Sequence, residues 1–160
     1  MIGCGGISSV HGKVLSEMDN AALTACADIL PDRARAIAGQ YGCRAYESFT
    51  QMLDTEPLDA VHICTPHHLH PMMAEEAARR GIAVFTEKPP AINIEGWEKI
   101  KAAARLVPLG ICFQNRYNDN VLACERIIQA GTYGSLLGIR AFVTWSRGAA
   151  YYTASDWKGK

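Results

Sequence analysis

The chain has 160 residues, 49% of them hydrophobic and 20% charged, the balance of an ordinary globular protein with one buried core. Lys plus Arg and Asp plus Glu each total 16, so the formal net charge is zero and no excess charge favours nucleic acid or an anionic membrane surface as a partner. Six scattered cysteines without a CxxC pair read as free thiols of a reduced, cytosolic setting, and no apolar run approaches the ~18 residues of a membrane span.

In chain order, four short apolar runs read as strands: LTACAD (23–28), DAVHIC (59–64), IAVFTE (82–87) and LGICFQ (109–114). They alternate little between apolar and polar residues, as parallel strands covered on both faces should. Between them, residues 32–41, 71–80 and 94–106 have helical period, with a shorter helix over 48–54, and Gly42 and Gly81 stand where C-terminal caps belong. The fold class expected is therefore α/β: a Rossmann-type parallel sheet with helices on both faces. After Asn115 the rhythm changes to a helix over 121–130, a GTYG turn and one long strand over 136–147. That strand has no visible partner and would be an aggregation hazard alone. The expected organisation is a nucleotide-binding domain over 1–115 and the incomplete beginning of a second α/β domain over 116–160.

The opening IGCGGIS places Gly3 and Gly5 in a GxGxxG spacing with Ser8 third. The first glycine suits a tight turn, the second a close backbone approach to a pyrophosphate, and the following helix N-terminus offers free amides to phosphate. Asp28 ends the next strand, where a carboxylate accepts from both hydroxyls of an adenosine ribose and repels a 2′-phosphate. NAD is thus favoured over NADP, although a capping role for Asp28 stays open. Only Met1 and Ile2 precede Gly3, so the central strand is expected to be almost wholly missing, and a lost leader stays open as well.

CTPHHLH (64–70) packs three histidines into four positions. Pro66 and Pro71 keep His67, His68 and His70 in a turn ahead of a helix, while His11 lies in the first helix and His62 inside a strand. No metal site is expected from that arrangement. The turn instead stands at the carboxyl end of a parallel strand, where open α/β sheets hold ligands.

CTPHHLH followed by EEAARRGIAVFTEKPPA resembles the TPxxxH and EKP signatures of the Gfo/Idh/MocA family of nicotinamide-dependent oxidoreductases. The resemblance continues through GCGGIS, ACADILPDRA, FQNRYN and GTYGSLLGIR. It implies that Gly3, Gly5, Ile7 and Ser8 line the pyrophosphate, that Asp28 holds the adenosine ribose, and that Thr65, Pro66 and His70 border the nicotinamide half. It further implies that Glu87 bonds the nicotinamide ribose and that Lys88 is the catalytic residue, reaching a sugar-like substrate. The family's lysine–proline bond is often cis. A cation beside a carbinol oxygen favours the developing alkoxide, and burial beside the nicotinamide would lower the pKa of Lys88.

Asn115 and Arg116 match the segment where such chains leave the nucleotide domain beside the active site, as expected substrate contacts, with an interdomain salt bridge the equal alternative for Arg116. Tyr151, Tyr152, Trp157 and Lys158 resemble a substrate-side loop. Tyr152 and Trp157 are the expected substrate contacts there, with Lys158 where arginine is commoner. The family's further catalytic DxxxH segment lies beyond Lys160, so the fragment is expected to be inactive alone, and the full-length protein is expected to form a homo-oligomer. The function expected is hydride transfer between NAD and a carbinol carbon of a sugar, sugar derivative or cyclic polyol. An NAD-using glycoside hydrolase and a non-catalytic nucleotide-binding module are the alternatives.

Overall fold

The computed structural model describes residues 1–153, in two compact units, Met1–Phe113 and a second that begins at Gln114. The first unit runs α1 (Ser8–Ser16), β1 (Ala25–Ala27), α2 (Pro31–Tyr41), β2 (Arg44–Tyr46), α3 (Phe49–Thr55), β3 (Ala60–Ile63), a 3-10 turn (His67–Leu69), α4 (His70–Arg79), β4 (Ala83–Thr86), α5 (Ile94–Leu106) and β5 (Leu109–Ile111). Local chemistry sets several of these boundaries. Pro31 opens α2, and Gly42 ends it at φ 69°. Ser48 and Asn93 cap α3 and α5 by accepting from Gln51 N and Gly96 N. Gly81 follows α4 at φ 73°, as its sequence position implied.

All the strand pairs are parallel. β1 pairs with β2, β4 lies between β3 and β5, and Ile2 joins the two groups through bridges to Ala27 and Ile63. Around that join, Ile2 N donates to His62 O at 2.8 Å, Cys64 N to Ile2 O at 2.7 Å, Gly3 N to Ala27 O at 2.8 Å and Ala27 N to Met1 O at 2.9 Å. The two residues before Gly3 therefore do the work of the central strand, because their backbone groups find partners on both sides. The resulting order is β2, β1, residues 1–3, β3, β4, β5.

Alternate residues of each strand feed two separate cores. Ile2, Ala25, Ala27, Val61, Ile63 and Val84 pack with residues of α3, α4 and α5. Met1, Cys26 and Cys64 face the other way, with Ala34 and Ile37 of α2. Helices cover both faces, which is why the strands showed so little polarity alternation.

In the second unit a 3-10 turn (Gln114–Tyr117) precedes α6 (Asp119–Gln129), and α7 (Ala149–Thr153) follows further on. The strand expected over 136–147 is not formed; those residues carry no regular secondary structure, with Leu137 98% and Phe142 91% exposed. Their apolarity fits a strand, but a strand exists only as one side of a ladder, and nothing among the described residues pairs with it. Short β2 and α7 were not expected from the sequence. Among the described residues no helix is long and apolar enough to cross a membrane.

Candidate functional site

The carboxyl ends of the strands bring one row of residues together. Gly3 lies at the end of the Ile2 bridge, Asp28 after β1, Cys64 to Pro66 after β3, Glu87 and Lys88 after β4, and Cys112 after β5. The glycine turn is shaped by contact. Gly3 has φ +88°, and a Cβ there would lie 2.8 Å from Thr65 Cγ2 and 2.9 Å from both Cys64 C and Cys64 O, whereas Cβ atoms at Gly5 and Gly6 would meet nothing within 4 Å. A backbone surface free of side chains thus faces outward at Gly5 and Gly6, next to the N-terminus of α1, and fits a pyrophosphate. Ser8 is fully buried and donates its hydroxyl to Gly5 O, closing the turn from within.

Asp28 is held on both carboxylate oxygens: Oδ2 accepts from Cys4 N at 2.7 Å and Oδ1 from Leu30 N at 2.9 Å. The capping bond to Leu30 and the link to the glycine turn are therefore made by one side chain. A half-buried carboxylate fixed in this way keeps its remaining lone pairs for a diol, and that acceptor chemistry fits a ribose.

His70 is fully buried, with Nδ1 2.8 Å from Pro89 O and Nε2 2.8 Å from Thr65 O. It ties the Thr65–Pro66 turn to the segment after Lys88, and its ring has no exposed surface. His70 also begins α4, one residue ahead of the expected start, and His67–Leu69 form a 3-10 turn. The Lys88-Pro89 peptide bond is cis.

Glu87 is buried, whereas the Lys88 side chain is 46% exposed with Nζ 4.0 Å from Glu87 Oε2. The chain's own packing therefore does not supply the burial expected around Lys88. Glu87 Oε1 lies 3.0 Å from His11 Nε2, and His11 Nδ1 lies 2.9 Å from His62 Nδ1. Burial pushes the Glu87 carboxyl up, but hydrogen bonds from His11 and Cys112, the charge of His11 and the Lys88 amide outweigh it and hold the pKa below the usual carboxylate range.

His62 is held down at about 4, by burial first and then by His11 and the terminal amino group. Between about pH 6.5 and 4 the unfolded chain therefore binds a proton at His62 that the folded chain does not, so stability falls as pH drops through that window. In urea titrations at pH 7 and pH 5, His62→Val should lose less of its midpoint on acidification than the parent; equal losses would contradict this.

Sequence reasoning missed the cluster of His11, His62, Glu87 and Cys112. The available signal was a histidine inside an apolar strand, which needs a polar partner. Ligand atoms of His11, Glu87 and Cys112 lie within 4.8 Å of one another, a donor set suited to a transition metal, but His11 and Glu87 are already bonded to each other. Asn115 and Arg116 are exposed on the 3-10 turn of the second unit, Tyr152 is exposed on α7, and Trp157 and Lys158 lie outside the described residues. A cavity of about 680 Å³ opens at the other end of the sheet, lined by Leu15, Thr24, Gly42 and Arg44 among others, and includes none of the expected site residues.

A parallel sheet with a glycine turn, an amide-held carboxylate and a charged pair along its carboxyl edge is the layout of a dinucleotide-binding Rossmann fold. Residues 1–108 match the oxidoreductase family with an NAD-binding Rossmann fold, Gfo/Idh/MocA, and the chain belongs to that family. It is 36% identical over 143 residues to an inositol 2-dehydrogenase of Rhizobium meliloti, 85% of this chain and 42% of that protein. It is similar to the WlbA dehydrogenase of Chromobacterium violaceum, solved with NADH and UDP-GlcNAcA (TM-score 0.89, 34% identity, 99% of this chain and 47% of that one). It is also similar to the scyllo-inositol dehydrogenase of Lactobacillus casei, solved with NAD(H) and scyllo-inositol (TM-score 0.76, 25% identity, 83% of this chain and 41% of that one). The chain thus spans less than half the length of these relatives.

Proposed function

We propose that this chain is the nucleotide-binding part, with the start of the substrate domain, of an NAD-dependent oxidoreductase acting on a carbinol carbon of a sugar, sugar derivative or cyclic polyol. The observation that carries the proposal is the row at the strand ends, where one carboxylate fixed by two amides and one Glu–Lys pair stand on either side of a bare glycine turn. Gly3, Gly5, Ile7 and Ser8 shape the pyrophosphate cradle, Asp28 takes the adenosine ribose and Glu87 the nicotinamide ribose. Thr65 and Pro66 border the nicotinamide half, with His70 bracing them from beneath.

NAD supplies the hydride acceptor, or as NADH the donor. During oxidation Lys88, placed beside the carbinol oxygen, stabilises the developing alkoxide and assists the departure of the hydroxyl proton as the carbon gives up hydride; during reduction it assists the return of that proton to the oxygen. Asn115, Arg116, Tyr152 and Trp157 are the proposed substrate contacts of the second domain. The full-length protein is proposed to work as a homo-oligomer in the cytoplasm, where the thiols of the six cysteines, none of them in a disulfide, stay reduced.

A nucleotide-linked sugar is the favoured substrate. Likeness to the WlbA dehydrogenase runs through 99% of the chain, whereas likeness to the scyllo-inositol dehydrogenase covers 83%. The test offers NAD and either UDP-sugar acids or inositols to the protein that contains this chain and follows NADH. Turnover of UDP-sugar acids supports the assignment, and turnover of inositols alone refutes it. Product release from a glycoside without net NADH would favour a hydrolase that uses bound NAD transiently.

Cofactor choice gives a further prediction. Asp28→Ala should weaken NADH binding about tenfold, the scale of a lost charge-assisted hydrogen bond, and weaken NADPH binding much less. Equal weakening would show that Asp28 does not read the ribose.

A further inference from the structure

His62 sits in β3, on the sheet face opposite Val61 and Ile63, and meets His11 of α1 there. The two rings stand edge to face with centroids 5.2 Å apart, and the Phe85 ring packs 5.0 Å from His62 and 6.0 Å from His11. Glu87 lies against His11 and the terminal amino group of Met1 acts on His62, while Lys88, Cys112 and Cys64 act on Glu87.

An ionised carboxylate only accepts hydrogen bonds, so His11 Nε2 must carry the hydrogen that lies against Glu87 Oε1. One hydrogen then has to lie between the two Nδ1 atoms. His62 meets that need in either state of His11, donating to the neutral ring or accepting from the imidazolium. Without His62, His11 Nδ1 loses its partner and the ring loses the edge-to-face contact that fixes its orientation against Glu87.

We propose that His11 and His62 are positioning residues for the cofactor: His62 holds the His11 ring in place through its Nδ1 contact, and His11, donating from Nε2, aims the Glu87 carboxylate at the ribose on the nicotinamide side. This rests on the assignment of Glu87 to that ribose under the proposed function. It predicts separable effects on the two halves of the dinucleotide, since ADP engages only the glycine turn and Asp28.

The experiment titrates the chain and its variants with NADH and with ADP. In His11→Ala the Kd for NADH should rise about tenfold while that for ADP stays within about twofold. His11→Gln, whose amide can still donate to the carboxylate, should recover most of the loss, and His62→Val should fall between. A pH series separates positioning from packing. Glu87 without its donor is protonated more easily, so in His11→Ala the NADH affinity should fail at a higher pH on acidification than in the parent.

NADH-to-ADP affinity ratios that match the parent in both His11→Ala and His62→Val overturn the inference alone. Equal loss of both ligands in His11→Gln and His62→Val does the same, because it marks a packing role. A parent chain that binds neither ligand overturns the proposed function, and this inference with it.

Discussion

Replacing Lys88 with methionine in the protein that contains this chain should lower kcat by about 10²–10⁴-fold, the range usual for loss of a general acid or base. The Kd for NADH should hardly move, because Lys88 is assigned to the substrate and Glu87 to the ribose. Methionine keeps the length and apolar stem of lysine and removes only the ammonium. The side chain is half exposed, so its loss leaves no cavity in either core. A fall in kcat with unchanged NADH binding and unchanged urea midpoint is the expected result. Unchanged kcat would remove Lys88 from the chemistry, and a rise in the NADH Kd alone would make it a cofactor contact.

Gly3→Ala should be the most damaging small substitution in the first unit. At φ +88° an L-residue is strained, and the new Cβ would press on the Cys64 backbone at 2.9 Å, where no flexible side chain can give way. The same residue donates to Ala27 O, one of the bonds that join the two halves of the sheet around Ile2. A loss of about 3–4 kcal/mol of unfolding free energy is expected, combining backbone strain with the displaced join. NADH binding should be lost with it. Gly5→Ala is the control: a Cβ there meets nothing within 4 Å, so stability should hold while the methyl group narrows the pyrophosphate approach. Equal stability of the two variants would contradict the proposed role of Gly3.

Much of the first unit was legible in the sequence. The apolar runs ending at Asp28, Cys64 and Glu87 announced strands whose ends would meet, and Gly42 and Gly81 marked helix ends at which the backbone does turn to positive φ. Asp28 could be singled out because a carboxylate at the end of the strand after a glycine turn has a specific chemical use. Glu87 and Lys88 were reached only through the EKP resemblance, because an EK pair is ordinary surface chemistry until the fold places one member in the interior. The His11–His62 contact joins residues 51 positions apart, and nothing local tells which face of β3 meets which face of α1. The strand expected over 136–147 failed for a related reason. Apolarity says that a segment must pack against something, not what it packs against, and its ladder partner is not among the described residues. The role of Ile2 was undervalued because strand length was judged from residue count, whereas the bonds at residues 1–3 reach both neighbouring strands.

The measurement that bears most directly on the account is a titration of the unsubstituted chain with NADH and, separately, NADPH, followed by energy transfer from tryptophan to the reduced nicotinamide. Saturable binding with NADH clearly tighter is the predicted result, since the fixed Asp28 carboxylate accepts from a free ribose diol and repels a 2′-phosphate. A folded chain that binds neither, or that prefers NADPH, would contradict it.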